Sequence, residues 1–173
     1  MDETEEEHLE HEEEGHDDHG GLILANYLQQ NAELEGFEFQ IGRTIELDKG
    51  LLDLSFGRDE VEGAFNDGTN IPRLSPARNI YHLSYEQGNM NFKLVLKDVI
   101  KQNKVGIGED ITNGYQMLNA KFTRIFNFNG ADLSLSIFGN NLLDEVARNH
   151  TSFVKSEVPL PGRNYGIRFN LIF

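Results

Sequence analysis

The sequence predicts an all-β chain: an antiparallel transmembrane β-barrel segment of about seven strands, preceded by a short acidic arm. Three observations carry this expectation. After Gly21 apolar and polar residues alternate along most of the chain. Tight turns and long connections follow one another in strict order. No apolar run approaches the ~20 residues that a spanning helix needs, so any crossing of a bilayer falls to strands.

Seven extended segments are expected, each bounded by turn residues. The first, Leu22–Leu47, is taken as one long strand, because "QQNAE" in its middle lacks the Gly or Pro of the other turns. A break there would make eight. Leu51–Phe65 places Leu52, Leu54 and Phe56 on one face. Ala77–Gln87 sets Tyr81, Leu83 and Tyr85 against His82, Ser84 and Glu86, and Met90–Gln102 sets Met90, Phe92, Leu94 and Leu96 against Asn91, Lys93 and Lys97. Tyr115–Asn127 is less clean, since Arg124 shares the face of Leu118, Ala120, Phe122 and Phe126; it must lie near a rim or snorkel. Ala131–Asn140 carries Leu133, Leu135 and Ile137 on one side. Arg163–Phe173 carries Tyr165, Ile167, Phe169, Leu171 and Phe173 opposite Gly166, Arg168 and Asn170. Successive side chains of a strand face opposite ways, so each segment has one apolar and one hydrophilic face.

A soluble sandwich and a membrane barrel share this texture, and the connections separate them. Asp48–Gly50, Gln87–Asn89 and Asn127–Gly130 are short, whereas Asn66–Pro76, Lys104–Asn113 and Asn141–Pro161 are long. Short turns on one side and long loops on the other are the habit of outer-membrane barrels, with the long loops outside. If the last strand ends at the periplasm, Asn141–Pro161 is extracellular, and with a single first strand the segment ahead of it is extracellular too. Seven antiparallel strands leave two unpaired edges, which hydrocarbon does not tolerate. The chain is therefore expected to be part of a larger barrel, and no closed monomeric barrel is expected from it alone.

The charge is unevenly placed. Of 29 acids, eleven lie in Met1–Gly20, which has no Lys or Arg, leaving 18 acids against 15 bases elsewhere. Nucleic acid is excluded as a partner, because a phosphate-binding face needs clustered cations. Without cysteine, disulfides and thiolate metal sites are excluded as well. "MDETEEEH" lacks the basic and apolar regions of a signal peptide. The arm spaces His8, His11, His16 and His19 as H-x2-H-x4-H-x2-H among these acids. Imidazole nitrogen and carboxylate oxygen suit zinc, and imidazole also suits copper and nickel. The competing expectation is a solvated acidic segment whose histidines do nothing specific. Residues 1–21 thus form the arm, and 22–173 the barrel segment.

The end of the chain carries a family resemblance. Asn164, Gly166, Phe169, Leu171 and Phe173 fit the terminal assembly signal of outer-membrane barrels: a polar residue, Gly two later, then alternating apolar residues to a final aromatic. "GNNLLDEVARNH…PLPGRNYGIRFNLIF" resembles the "N-L-x-D-x-x-Y … P-G-R" ending of TonB-dependent outer-membrane receptors, and "NAELEGFEFQIG" is similar to their "A-x-x-x-G-x-E" strand. Ala147 departs from the pattern, which often has Tyr there. The His-rich arm with "RNHTSFVK…PLPGR" is most similar to the zinc-uptake branch, the ZnuD type.

This resemblance implies a location in the cell outer membrane and the C-terminal part of a 22-stranded barrel. It implies a metal-ion cargo (Zn2+ as substrate, not as a catalytic cofactor), lipid around the barrel and the barrel-assembly machinery at the last strand. It also implies coupling to the TonB system through an N-terminal plug that nothing in this sequence resembles. His150 joins the four arm histidines as a candidate ligand, Arg163 is expected to be structural, and no covalent catalysis is expected. Two other functions stay open: a receptor for haem or an iron chelate, and a small surface metal-binding barrel that does not transport.

Overall fold

The computed structural model describes residues 29–173. They form seven antiparallel strands in one sheet: β1 (Ala32–Leu47), β2 (Gly50–Phe65), β3 (Arg78–Gln87), β4 (Met90–Val99), β5 (Tyr115–Phe128), β6 (Ala131–Asn140) and β7 (Asn164–Ile172). Neighbours in space are neighbours in sequence throughout. Among the described residues there is no helix, hence none long and apolar enough to cross a membrane, which says nothing of crossing by strands.

Each strand lies within a few residues of its expected bounds, with two corrections. The first strand does not run unbroken from Leu22, because residues 29–31 are not strand and pairing begins at Ala32 opposite Phe65. There β2 itself turns away, held by a last bond of 3.1 Å from the Asn66 amide to the Asn31 carbonyl. Residues 22–28 lie outside the described part. The fourth strand stops at Val99 rather than Gln102. Gln102 instead exchanges backbone bonds of 3.0 and 3.1 Å with Thr112, closing the neck of a long loop.

The three tight turns share one edge of the sheet and the three long loops, residues 66–77, 100–114 and 141–163, share the other. Two of the turns need glycine. Gly88 has φ 53° and Gly130 φ 93°, left-handed values that a side chain resists. The third turn is offset from the others: Met90 pairs with Arg124, while β5 runs four residues further, to Phe128. The first two turns are level, with Leu51 opposite Glu86. An average stagger of about one residue per strand corresponds to a tilt of roughly 35°, from the 3.4 Å rise and 4.8 Å spacing.

Register turns the alternation into continuous rows on one face. Leu52, Tyr85, Phe92, Phe122, Ile137 and Ile167 form one row, and Leu135 and Phe169 continue the face toward the tight turns. Leu54, Leu83, Leu94 and Ala120 form the next, and Phe56, Tyr81, Leu96 and Leu118 the third. Beyond it the face becomes polar within one step, at Arg58, Asn79, Asp98 and Gln116. That polar row is stitched across four strands by side-chain hydrogen bonds of 3.0, 3.2 and 3.3 Å. Phe37, Phe39, Phe56 and Tyr81 cluster along the upper border, with ring centroids 5.0–6.2 Å apart. Arg124 sits opposite Met90, at the level of the tight turns, as a rim position requires.

The other face is hydrophilic and bonded across strands. Thr44 donates to Asp53 (2.5 Å), Arg78 to Asp59 (2.7 Å), and the Thr123 and Ser136 hydroxyls lie 2.8 Å apart. Phe138 is an exception, and its ring lies over the directly paired Gly166. A Cβ built on Gly166 would overlap that ring, which explains physically why glycine stands two residues after Asn164. Among the described residues only Val99 and Ala147 are buried apolar side chains, so no core lies behind either face.

Gly166→Val is therefore expected to destabilise the β6–β7 hairpin by about 1–3 kcal/mol through overpacking, with Phe138→Ala restoring much of the loss. Urea titration of the full chain refolded in detergent measures both; equal midpoints for Gly166→Val and the native chain would contradict the packing described.

Candidate functional site

The long loops carry the buried ion pair of the described residues, and they fold onto one another around a single carboxylate. Glu109 lies in the loop of residues 100–114. It accepts the amide of Gly106 (2.9 Å) from its own loop and the amide of Arg73 (3.0 and 3.1 Å) from the loop of residues 66–77. From the loop of residues 141–163 the Lys155 ammonium donates to it at 2.6 Å. Glu109 and Lys155 side chains are each less than a tenth exposed. A buried ion pair gains little net stability unless further hydrogen bonds complete it, and the two backbone amides do so.

His150 completes the cluster and is fully enclosed. Its Nδ1 lies 2.9 Å from the Thr112 hydroxyl and 3.4 Å from Lys155 Nζ. An ammonium only donates, so Nδ1 is the acceptor and the ring proton is assigned to Nε2. Nε2 is 3.2 Å from Glu109 Oε1 but is not aligned for a hydrogen bond, and it is left without a partner. Burial lowers the His150 pKa, and Lys155 lowers it further, while Glu109 opposes both. Glu109 itself titrates below the ordinary carboxylate value: burial raises it, but Lys155 and the Gly106 and Arg73 amides outweigh that cost.

The third loop is clamped at its base by the residues of the "N-L-x-D … P-G-R" segment. Asn141, buried and in the left-handed region at φ 49°, donates to the carbonyls of Glu145 (2.9 Å) and Pro161 (3.2 Å) and accepts the Glu145 amide (3.0 Å). Asp144 receives both the backbone amide (3.1 Å) and the guanidinium (2.9 Å) of Arg163. Ala147 is wholly buried inside the clamp, where its carbonyl accepts the Leu160 amide at 2.8 Å, so a tyrosine side chain has no room there.

Of the histidines expected as ligands, His8, His11, His16 and His19 lie outside the described residues. His150 is brought together with Glu109, Thr112 and Lys155. Among the described residues no three His, Cys, Asp or Glu side chains converge to hold a metal ion. The ammonium of Lys155 occupies the Glu109 oxygen that a metal would need. His82 is exposed on the hydrophilic face opposite Ser55 and Val95, and the nearby Glu86 is taken by Asn91 at 2.7 Å. Chain entry to β1 is at the long-loop edge, since Ala32 pairs with the last residue of β2. Searched against protein-family models and against curated proteins, the chain matches none.

The directions of these shifts set the expected pH response of the loop cluster. A histidine whose folded pKa is lowered binds its proton more readily unfolded, so its contribution is intact above the ordinary value near 6.5 and is lost as pH falls below it. Glu109 adds a loss of the same sign below its ordinary value of 4.5. Proteolytic cleavage within residues 141–163 is expected to speed up severalfold between pH 7.5 and 5.5. His150→Gln, which cannot take up the proton, should flatten that dependence; an unchanged profile in the variant would contradict it.

Proposed function

We propose that this chain is a strand segment of an outer-membrane receptor barrel of the TonB-dependent kind, with zinc as cargo and the His-rich arm as a capture site at the outer rim. One observation carries the membrane part: a seven-stranded sheet with an apolar face on every strand and no core behind it. Phe39, Leu54, Tyr81, Phe92, Phe122, Ile137 and Phe169 each lie more than a third exposed, one from each strand. Fully burying such a side chain is worth roughly 1.5–3 kcal/mol, so these partly exposed ones together forgo a sum comparable to a net stability of about 5–15 kcal/mol. Hydrocarbon removes the deficit.

Other features agree with a bilayer border. The aliphatic row Leu54–Leu83–Leu94–Ala120 lies between a row holding Tyr85, Phe92 and Phe122 and one holding Phe56 and Tyr81, so the apolar band is continuous over these three rows. The bonded polar row then ends the apolar band on the long-loop side. Ten-residue strands such as β3 and β4 are the length that a tilted crossing takes. Among the described residues β1 and β7 each pair on one edge only, so further strands must join them in lipid. Arg43 supports the same conclusion: it lies on the apolar face of β1 opposite Leu54, with no ion pair among the described residues, where a neighbouring strand would supply a partner.

For the metal, support comes from ligand chemistry and position. Four imidazoles and eleven carboxylates precede a strand whose start lies at the long-loop edge. His150 serves in this reading as a loop-packing group, and would have to leave Glu109 and Lys155 to bind cargo. Without thiolate, and with backbone freedom of about 1–2 kcal/mol per residue lost on binding, the arm should hold zinc in the micromolar range or more weakly. Protons compete for imidazole, so binding should weaken below about pH 6.

Calorimetric zinc titration of the full chain in detergent, beside a variant with His8, His11, His16 and His19 all replaced by Ala, measures this. Affinity at least tenfold higher in the native chain is expected; equal affinity would leave the carboxylates as the only ligands and remove the histidine role. Haem binding that zinc does not displace would favour a haem receptor instead.

A further inference from the structure

The hydrophilic face has one patch that its own residues do not neutralise. Lys93 and Lys121 are directly paired across β4 and β5, a like-charge arrangement that destabilises a sheet unless something compensates it. Arg168 on β7 leans toward them, with its guanidinium carbon 6.0 Å from the ring of Phe138, the residue paired with Lys121. All three cations are exposed, and none forms an ion pair among the described residues. The nearest acid along this face, Glu86 on β3, hydrogen-bonds Asn91 and forms no ion pair with either lysine among the described residues. Between the cations lies an open concavity of about 400 Å³, lined by Val95, Ala120 and Phe138 as well as by Asn119, Ser136 and Asn140. Its size falls in the range of small-molecule sites, and its amide and hydroxyl groups add hydrogen-bonding capacity to the positive charge.

We propose that Lys93, Lys121 and Arg168 form a binding site for a small polyanion bearing several oxygen atoms, a polycarboxylate or a condensed phosphate. Arg168 supplies a planar fork for two oxygens of one anionic group, and the two lysines act as point charges on a second. Placing the lysines opposite each other costs stability in the empty sheet and is offset when the anion binds. A bare dication would be repelled from this wall, so a metal passing here would do so as an anionic complex. The proposal rests on the reading that this face meets water, and does not depend on the zinc reading.

Two measurements on the full chain in detergent test it. In the first, Lys93 and Lys121 are acylated with a water-soluble amine reagent and quantified by mass spectrometry, alone and with citrate or pyrophosphate. Rapid labelling without anion is expected, and at least threefold protection with it. Failure to label at all would remove the aqueous face and the proposal together. Labelling without protection by either anion would overturn the proposal alone and leave the barrel reading in place. In the second, the melting temperature is followed for the native chain and for a variant carrying Lys93→Gln, Lys121→Gln and Arg168→Gln. Citrate or pyrophosphate should raise that of the native chain only, and without anion the variant should melt higher. A rise of equal size in both proteins would overturn the site. Protection by citrate but not pyrophosphate identifies a carboxylate ligand, and the reverse a phosphate.

Discussion

A sheet with two faces and no core behind either keeps its shape only if something covers the apolar one. That constraint governs the rest of this chain. Register is fixed because a slip of one residue would move every apolar side chain to the wrong face, placing Leu94 among the lysines and Lys93 beside Leu83 and Ala120. The tight turns are two residues long because adjacent strands must leave and re-enter the apolar band at the same level. The polar row from Arg58 to Gln116 closes that band with side chains that satisfy one another. Above it the loops lengthen, and there, Ser136 on β6 apart, lie the buried polar side chains of the described residues.

The strands were legible in the sequence because alternation has a period that backbone geometry dictates. From β2 to β7 the expected elements and their order match those observed, and so does the assignment of faces. The start of β1 was not legible, since nothing in "QQNAE" differs from strand residues; the strand begins where β2 runs out, a property of the partner. The end of β4 was misplaced for a related reason: Gln102 continues the alternation yet pairs with Thr112 inside its own loop. Arg43 interrupts an apolar row no less than Arg124 does, but only the register places it opposite Leu54.

The loop cluster was much less legible. Glu109, Thr112 and Lys155 are separated by up to 46 residues, sit in segments without periodicity and look like ordinary loop polar residues. His150 was visible as an unusual residue, but its surroundings could not be inferred, because a hydroxyl and a carboxylate from another loop enclose it together with the nearby Lys155. The "N-L-x-D … P-G-R" segment was visible as a pattern, and the clamp formed by Asn141, Asp144 and Arg163 accounts for it: the amide ties the loop's two ends and the carboxylate fixes the arginine. Such a clamp ties the two ends of the longest loop together.

The measurement that bears most directly on this account is a nitroxide scan of β4 from residue 90 to residue 99, with the chain carried in the complete barrel that the account requires and that barrel inserted into lipid vesicles. Oxygen, concentrated in lipid, and a water-soluble nickel chelate would each be tested as a relaxing agent. The account predicts alternation with a period of two: labels at positions 92, 94 and 96 relaxed by oxygen, and labels at 93, 95 and 97 relaxed by the chelate. Uniform access to the chelate at all of these positions, or the same alternation with the faces exchanged, would contradict it.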